Sequence, residues 1–175
     1  EGGKNPYLND FDGDMQRCAV NLQIVVLNKR FKSIVEINKE TSTVIQDRTI
    51  YEDACIVAPN LHHMGLMSTR DYDNYRYVYN LMISLVTPPD LLIYLRASVP
   101  TLVNQIQNRG REYEAGIRID YLSKLNERYE EWINTYDGKR LIIDVDTINF
   151  SERSDDLSVV INKIDAQLYG LSLIH

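Results

Sequence analysis

The stretch Gln46-Asp47-Arg48-Thr49-Ile50-Tyr51-Glu52-Asp53 places a carboxylate and a guanidinium side by side, directly after a short β-branched run. That run, Thr43–Ile45, predicts a buried strand, and the charged pair follows its carboxyl end. In an open parallel α/β sheet, ligands collect at the carboxyl ends of the strands. The stretch therefore predicts a phosphoryl-transfer site for a small anionic cosubstrate.

Outward from this stretch, apolar periodicity predicts helices that alternate with strands. The predicted helices cover residues 14–37, 51–58, 70–86, 100–108, 117–136 and 151–169, and the predicted strands cover 43–46, 91–95 and 141–145. Pro59 is expected to end the second helix, because proline lacks the N–H that a helix interior needs. Such alternation is typical of an α/β fold with a parallel sheet. We expect one domain over residues 1–175.

The composition excludes some classes of partner. The chain has 175 residues, a mass of 20.3 kDa, a net charge of -6 and a pI of about 5.1, which argues against binding to a nucleic acid polymer. No uninterrupted apolar run approaches the roughly 18 residues that suggest a membrane span. Cys18 and Cys55 lack metal-ligand spacing, so we expect reduced thiols in a cytoplasmic protein.

The charged segment Arg109-Gly110-Arg111 lies between two predicted helices and leaves two interpretations open. It could be a solvated loop. It could equally be a clamp that closes on phosphate oxygens, because arginine binds them bidentately and glycine lets a loop move. The adjacent His62 and His63 are poor chelators on a helix face, so no metal site is predicted there.

Five segments in register resemble the deoxynucleoside kinase family, in particular its bacterial deoxyadenosine and deoxyguanosine kinases. They are Asn5–Leu8, Leu22–Gln23, Asp47–Asp53, Leu91–Leu95 and Arg109–Arg111. The resemblance implies an enzyme of purine salvage that transfers the γ-phosphoryl group of ATP to the 5′-hydroxyl of a deoxynucleoside, with Mg²⁺ on the phosphates. It also implies a three-layer, P-loop-kinase-like parallel sheet with helices on both faces, and a homodimer formed through the helices predicted at 14–37 and 70–86.

The same resemblance assigns roles to the charged residues of the opening stretch. Arg48 would lie near the reacting 5′-oxygen, and Asp47 on the metal and phosphate side of the site. Arg109 and Arg111 would form a lid over the ATP phosphates. These residue types suit the chemistry, since phosphoryl transfer depends mainly on positioning and on positive charge around the equatorial oxygens.

Base recognition would fall on Gln23, Arg30 and Asp53, and Glu114 would contact the 3′-hydroxyl of the sugar. Gln23 and Arg30 are seven residues apart, about two helical turns, so both extend from one face of the predicted helix. Gln23 lies on the apolar side beside Leu22 and therefore needs buried partners. The combination of Arg30 with Asp53 resembles the purine and deoxycytidine kinases, which favours a purine deoxynucleoside as substrate.

The sequence departs from the family pattern near its amino end. The family's first strand, Gly-rich phosphate loop and first helix do not precede Glu1, so we expect the kinase domain to be incomplete there. Glu1 is the candidate catalytic base by resemblance, with a spacing to Asn5 one residue short of the family's. Asp12 and Val57 stand where relatives carry aromatic residues that touch the sugar and base. These changes motivate a competing hypothesis, a catalytically inactive nucleoside-binding or dimerisation module of kinase ancestry.

Overall fold

The computed structural model describes residues 15–110 and 119–170, and the chain divides into two compact units, Glu1–Thr87 and Pro88–His175. The first, the helical unit, contains α1 (Met15–Ile37), α2 (Ile50–Glu52), a π-helical turn (Asp53–Val57), α3 (Ala58–His63) and α4 (Thr69–Ile83). The second, the sheet unit, contains β1 (Leu92–Arg96), α5 (Val99–Arg109), α6 (Ile119–Thr135), β2 (Arg140–Asp144) and α7 (Ser154–Tyr169). Within the described ranges, no helix has both the length and the apolar character needed to span a membrane.

The helical unit has an apolar core to which each of its helices contributes. Leu27 of α1, Ile50 of α2 and Tyr75 of α4 are all fully buried in one cluster. Tyr72 and Tyr79 pack against the same cluster from α4. A helix was predicted over 70–86, and the structure confirms a helix at Thr69–Ile83 whose buried face packs into this core.

The helix predicted to end at Pro59 instead runs without interruption from Ile50 to His63, so that prediction is wrong. A π-helical turn precedes the proline, in which the N–H of Ala58 donates to the carbonyl of Asp53, five residues back. The wider turn shifts the hydrogen-bond register by one residue, and Pro59 then occupies the first turn of α3, where a missing N–H is tolerated. The π-helical turn also begins at Asp53, a predicted site residue.

The prediction of a strand at 43–46 is also wrong. The segment has no strand assignment, and the side chain of Ile45 is 93% exposed. β-branched residues favour a strand only where a neighbouring strand pairs with their backbone, and among the described residues none pairs with this segment. Asp47 and Arg48 therefore follow a connection without regular secondary structure rather than a buried strand.

The sheet unit contains two parallel strands with a helix on each face. β1 pairs with β2 in the register Leu92 to Arg140 through Arg96 to Asp144. One face packs against Ile133 of α6, and the other against Val160 of α7. The predicted α/β arrangement with helices on both faces is thus confirmed in this unit.

The apolar run predicted at 91–95 is less covered than a fully buried strand. Leu92 and Tyr94 are buried, whereas Ile93 and Leu95 on the opposite face remain 39% and 48% exposed. The reason is that α7 packs over β2.

A forked ion pair joins the carboxyl end of β1 to α6. The Nε and Nη2 atoms of Arg96 donate to the two carboxylate oxygens of Glu130 at 2.9 and 2.8 Å. The hydroxyl of Tyr94 donates to the same carboxylate at 3.1 Å. Planar bidentate pairs of this kind restrict orientation as well as distance, so α6 is held in a defined position on the strand.

Candidate active site

An ion pair in the helical unit brings together two of the predicted base-recognition residues. Arg30 extends from α1, and Asp53 is the first residue of the π-helical turn. Their Nε and Oδ2 atoms are 3.4 Å apart, and the two side chains are 18% and 9% exposed. An ion pair this well buried loses most of its hydration. Its burial is favourable only where hydrogen bonds compensate for that loss.

Gln23 lies two turns before Arg30 on α1 and is only 4% exposed. Its Oε1 atom has no hydrogen-bond partner among the described residues. A buried acceptor without a partner destabilises a fold by about 1–3 kcal/mol. An amide oxygen kept in that condition is well suited to accept a hydrogen bond from a ligand.

Tyr75 was missed as a site residue, because its helical spacing identified it only as part of a packing face. It is 1% exposed, and its hydroxyl also has no partner among the described residues. Burial, together with the nearby negative charge of Asp53, raises the pKa of Tyr75 well above its usual value, so the hydroxyl stays protonated. Its position on the apolar face of the predicted helix, where a hydroxyl needs a partner, was the one available signal.

The Asp47–Arg48 corner combines exposed side chains with a restrained backbone. Arg48 has φ +62°, in the left-handed region, which is unfavourable by about 1–2 kcal/mol for a residue with a Cβ. On one side, Nη1 of Arg30 donates to the carbonyl of Asp47 at 3.2 Å. On the other, the N–H of Thr49 donates to Glu52 at 2.8 Å, and the N–H of Glu52 donates to the Thr49 hydroxyl at 3.4 Å, a capping box. Residues held in such conformations cluster at functional sites.

Burial raises the pKa of Asp53 from 3.8 to about 6, although Arg30 acts in the opposite direction. The folded protein therefore binds this proton more tightly than the unfolded chain. The stabilisation linked to the proton is complete below about pH 4 and is lost as the pH rises through about 6. At neutral pH Asp53 is ionised, and its charge is opposite that of Arg30.

An Asp53→Asn variant tests this linkage. We expect the free energy of unfolding of the wild type, minus that of Asp53→Asn, to fall by about 2 kcal/mol between pH 4 and pH 7. Urea unfolding of both proteins at several pH values measures the difference. A difference that stays constant or rises with pH would mean that the ion pair with Arg30 outweighs the effect of burial.

The remaining predicted residues lie elsewhere or outside the described ranges. Arg109 lies in the last turn of α5, in the sheet unit, and Gly110 ends that helix with φ +63°, a conformation that favours glycine. Arg111, Glu114 and Glu1 lie outside the described residues, so the choice between a loop and a clamp at 109–111 stays open. Gln23, Arg30, Asp53, Asp47 and Arg48 are all in the helical unit.

Comparison with known proteins extends over nearly the whole chain. The family model described as deoxynucleoside kinase matches residues 2–168. A deoxyadenosine/deoxycytidine kinase of Bacillus subtilis is 37% identical over 153 residues, which cover 83% of this chain and 70% of that protein. A deoxyadenosine kinase of Dictyostelium discoideum is 36% identical over 151 residues, which cover 86% of this chain and 60% of that protein.

A solved structure gives the same correspondence in three dimensions. Deoxyadenosine kinase from M. mycoides with bound dCTP superimposes with a TM-score of 0.78 at 27% identity, covering 95% of this chain and 83% of that one. The chain thus spans between about 60% and 83% of the length of these three proteins. The similarity includes both the helical unit and the sheet unit.

Proposed function

This chain belongs to the deoxynucleoside kinase family of ATP-dependent phosphotransferases, and we propose that it phosphorylates the 5′-hydroxyl of a purine deoxynucleoside, deoxyadenosine or deoxyguanosine. The observation that carries this proposal is the buried Oε1 of Gln23, which has no partner among the described residues, on the helix face that also bears Arg30. A glutamine amide can both donate to and accept from the edge of a purine, and an arginine can donate to a purine ring nitrogen and, in guanine, to the carbonyl as well.

The predicted site residues have separate tasks in the proposed reaction. The 5′-oxygen attacks the γ-phosphorus of ATP, the bond from that phosphorus to the β-phosphate oxygen breaks, and ADP leaves. The 5′-hydroxyl proton passes to a carboxylate base, for which Glu1 stays the candidate. Arg48 places positive charge beside the oxygens of the transferring group, and Arg109 and Arg111 are proposed to close over the phosphates.

Among the described residues no group of three or more His, Cys, Asp or Glu side chains could hold Mg²⁺ by itself, so Asp47 would share the ion with the ATP phosphates. Asp47 is exposed, and carboxylate oxygens are ligands that Mg²⁺ prefers. When bound, Mg²⁺ would offset the negative charge of the ATP phosphates. Asp47 is therefore proposed to hold the metal side of the site, directly or through water.

The direct test supplies the full-length protein with ATP, Mg²⁺ and each of the four common deoxynucleosides. We expect the highest kcat/KM for deoxyadenosine or deoxyguanosine and the lowest for thymidine. Failure to phosphorylate any deoxynucleoside would reject the proposal. Calorimetry then separates the competing hypothesis, because an inactive module would bind a nucleoside without binding ATP. That hypothesis draws on Val57, a position at which the family resemblance implies an aromatic residue and which here packs against the core of the helical unit.

A homodimer through α1 and α4 is part of the proposal. Tyr77 and Leu81 lie one turn apart on α4 and are 78% and 65% exposed, and Leu85 just beyond the helix is 69% exposed. Exposed apolar side chains aligned in this way are typical of a surface that another protein covers. We expect sedimentation to give about twice the chain mass for the wild type and the chain mass for Leu81→Glu. A wild type that sediments as a monomer would reject this part.

The proposal also includes a single kinase domain and a role in purine salvage in the cytoplasm. The family match spans both units, which supports one kinase domain over residues 1–175. Purine salvage in the cytoplasm stays a prediction, and labelling of the nucleotide pool in cells that lack the protein would test it.

A further inference from the structure

We propose that Arg30 is a positioning residue for phosphoryl transfer, because its guanidinium ties the base-recognition carboxylate to the backbone that holds Arg48. The inference rests on the proposed function and deepens it. Two donors of one side chain carry it. Nε donates to Oδ2 of Asp53 at 3.4 Å, and Nη1 donates to the main-chain carbonyl of Asp47 at 3.2 Å.

The second of these bonds acts on the peptide immediately before Arg48. The carbonyl of Asp47 and the nitrogen of Arg48 belong to one planar peptide unit, so fixing that oxygen fixes the plane from which Arg48 extends. Arg48 has φ +62°, a conformation that persists in a non-glycine residue only where its surroundings impose it. The Thr49–Glu52 capping box restrains the chain after Arg48, and Arg30 restrains it before Arg48.

The first bond determines where the guanidinium lies. Asp53 is 6% exposed and is the first residue of the π-helical turn, so its carboxylate is a rigid anchor. Arginine has five N–H groups in a planar fork, and two of them are used by Asp53 and Asp47. A base that accepts a hydrogen bond from a further N–H of Arg30 would hold the same fork in place. Binding of the correct base is thereby transmitted to Arg48.

The two hydrogen bonds of Arg30 predict that it both binds the base and positions Arg48, and steady-state kinetics can distinguish these two roles. Substitution of a residue that only binds the base raises the KM for the nucleoside and leaves kcat unchanged. A residue that also positions Arg48 lowers kcat when it is altered, even at saturating nucleoside. Lysine at position 30 keeps a positive charge near Asp53 but presents a single ammonium group in place of the planar fork.

The test is a double-mutant cycle with the variants Arg30→Lys, Arg48→Ala and the double variant, in the full-length protein. At saturating ATP and purine deoxynucleoside, we expect Arg30→Lys to lower kcat about tenfold in the wild-type background and by less than about twofold in the Arg48→Ala background. The effect disappears in the second background because Arg30 acts through Arg48. Lys32→Gln is the control, since Lys32 lies on the same helix and its side chain is 80% exposed. This substitution should leave kcat unchanged in both the wild-type and the Arg48→Ala backgrounds.

Two results would overturn the inference. One is a rise in KM with unchanged kcat, and the other is an equal loss of kcat whether or not Arg48 is present. If Arg30→Lys does not fold, as judged by circular dichroism, Arg30→Gln is tested by the same cycle and the same criteria. Turnover by the wild type is measured first. No turnover rejects the proposed function, whereas turnover with either of the two results above rejects this inference alone.

Discussion

Replacing Arg48 by alanine is expected to lower kcat by about 10³-fold, with little change in the KM for the nucleoside. Arginines that stabilise the transferring phosphoryl group contribute roughly 10³–10⁵-fold in other phosphotransferases. The charge on the equatorial oxygens develops in the transition state, so the loss falls mainly on kcat. Steady-state assays with radiolabelled ATP have the range to measure such a loss.

Two companion variants make this result specific. Arg70→Ala removes another exposed arginine of the helical unit, in the first turn of α4, and should leave kcat unchanged. Arg48→Gly should lose the same activity as Arg48→Ala while raising the free energy of unfolding by about 1 kcal/mol, since glycine adopts positive φ without strain. Full turnover by Arg48→Ala would refute the role assigned to this residue.

Replacing Gln23 by leucine is expected to have opposite effects on stability and activity. The free energy of unfolding should rise by about 1–2 kcal/mol, because the buried Oε1 has no partner among the described residues and leucine fits an apolar helix face. The kcat/KM for the purine deoxynucleoside should fall about 10²-fold, the value of a lost bidentate contact to a base edge. Thermal unfolding and steady-state kinetics on the same preparations measure both.

Gln105→Leu is the matched control for this variant. Gln105 is an exposed glutamine on α5 in the sheet unit, and its replacement should change neither quantity appreciably. If Gln23→Leu instead destabilises the protein and leaves kcat/KM unchanged, the amide serves the fold and not the substrate.

Apart from the helix that was wrongly ended at Pro59, periodicity identified the helices and the two paired strands to within a few residues. α1 covers Met15–Ile37 against the predicted 14–37, and β1 and β2 are each displaced by one residue. Strong repeating patterns have this property, because each buried position independently supports the same element. The run at 43–46 had only β-branched composition to support it, and strand formation also requires a pairing partner that composition cannot reveal.

The candidate site was only partly accessible from the sequence. The seven-residue spacing of Gln23 and Arg30 predicted their common helix face, and family resemblance added Asp53, which the structure brings to 3.4 Å from Arg30. The positive φ of Arg48 could not be anticipated, and for Tyr75 the one signal was a hydroxyl on an apolar helix face. Both depend on how separate segments fold together, which local propensity does not describe.

The π-helical turn at Asp53–Val57 lets one helix serve two purposes. In a regular α-helix each residue advances the direction of the side chain by about 100°. The additional residue in this turn changes the phase between the chain before it and the chain after it. Asp53 can therefore reach Arg30 while Ala58 and Leu61 still face the apolar core. Deleting one residue here would make the helix more regular, and it would force a choice between the charged contact and the packed face.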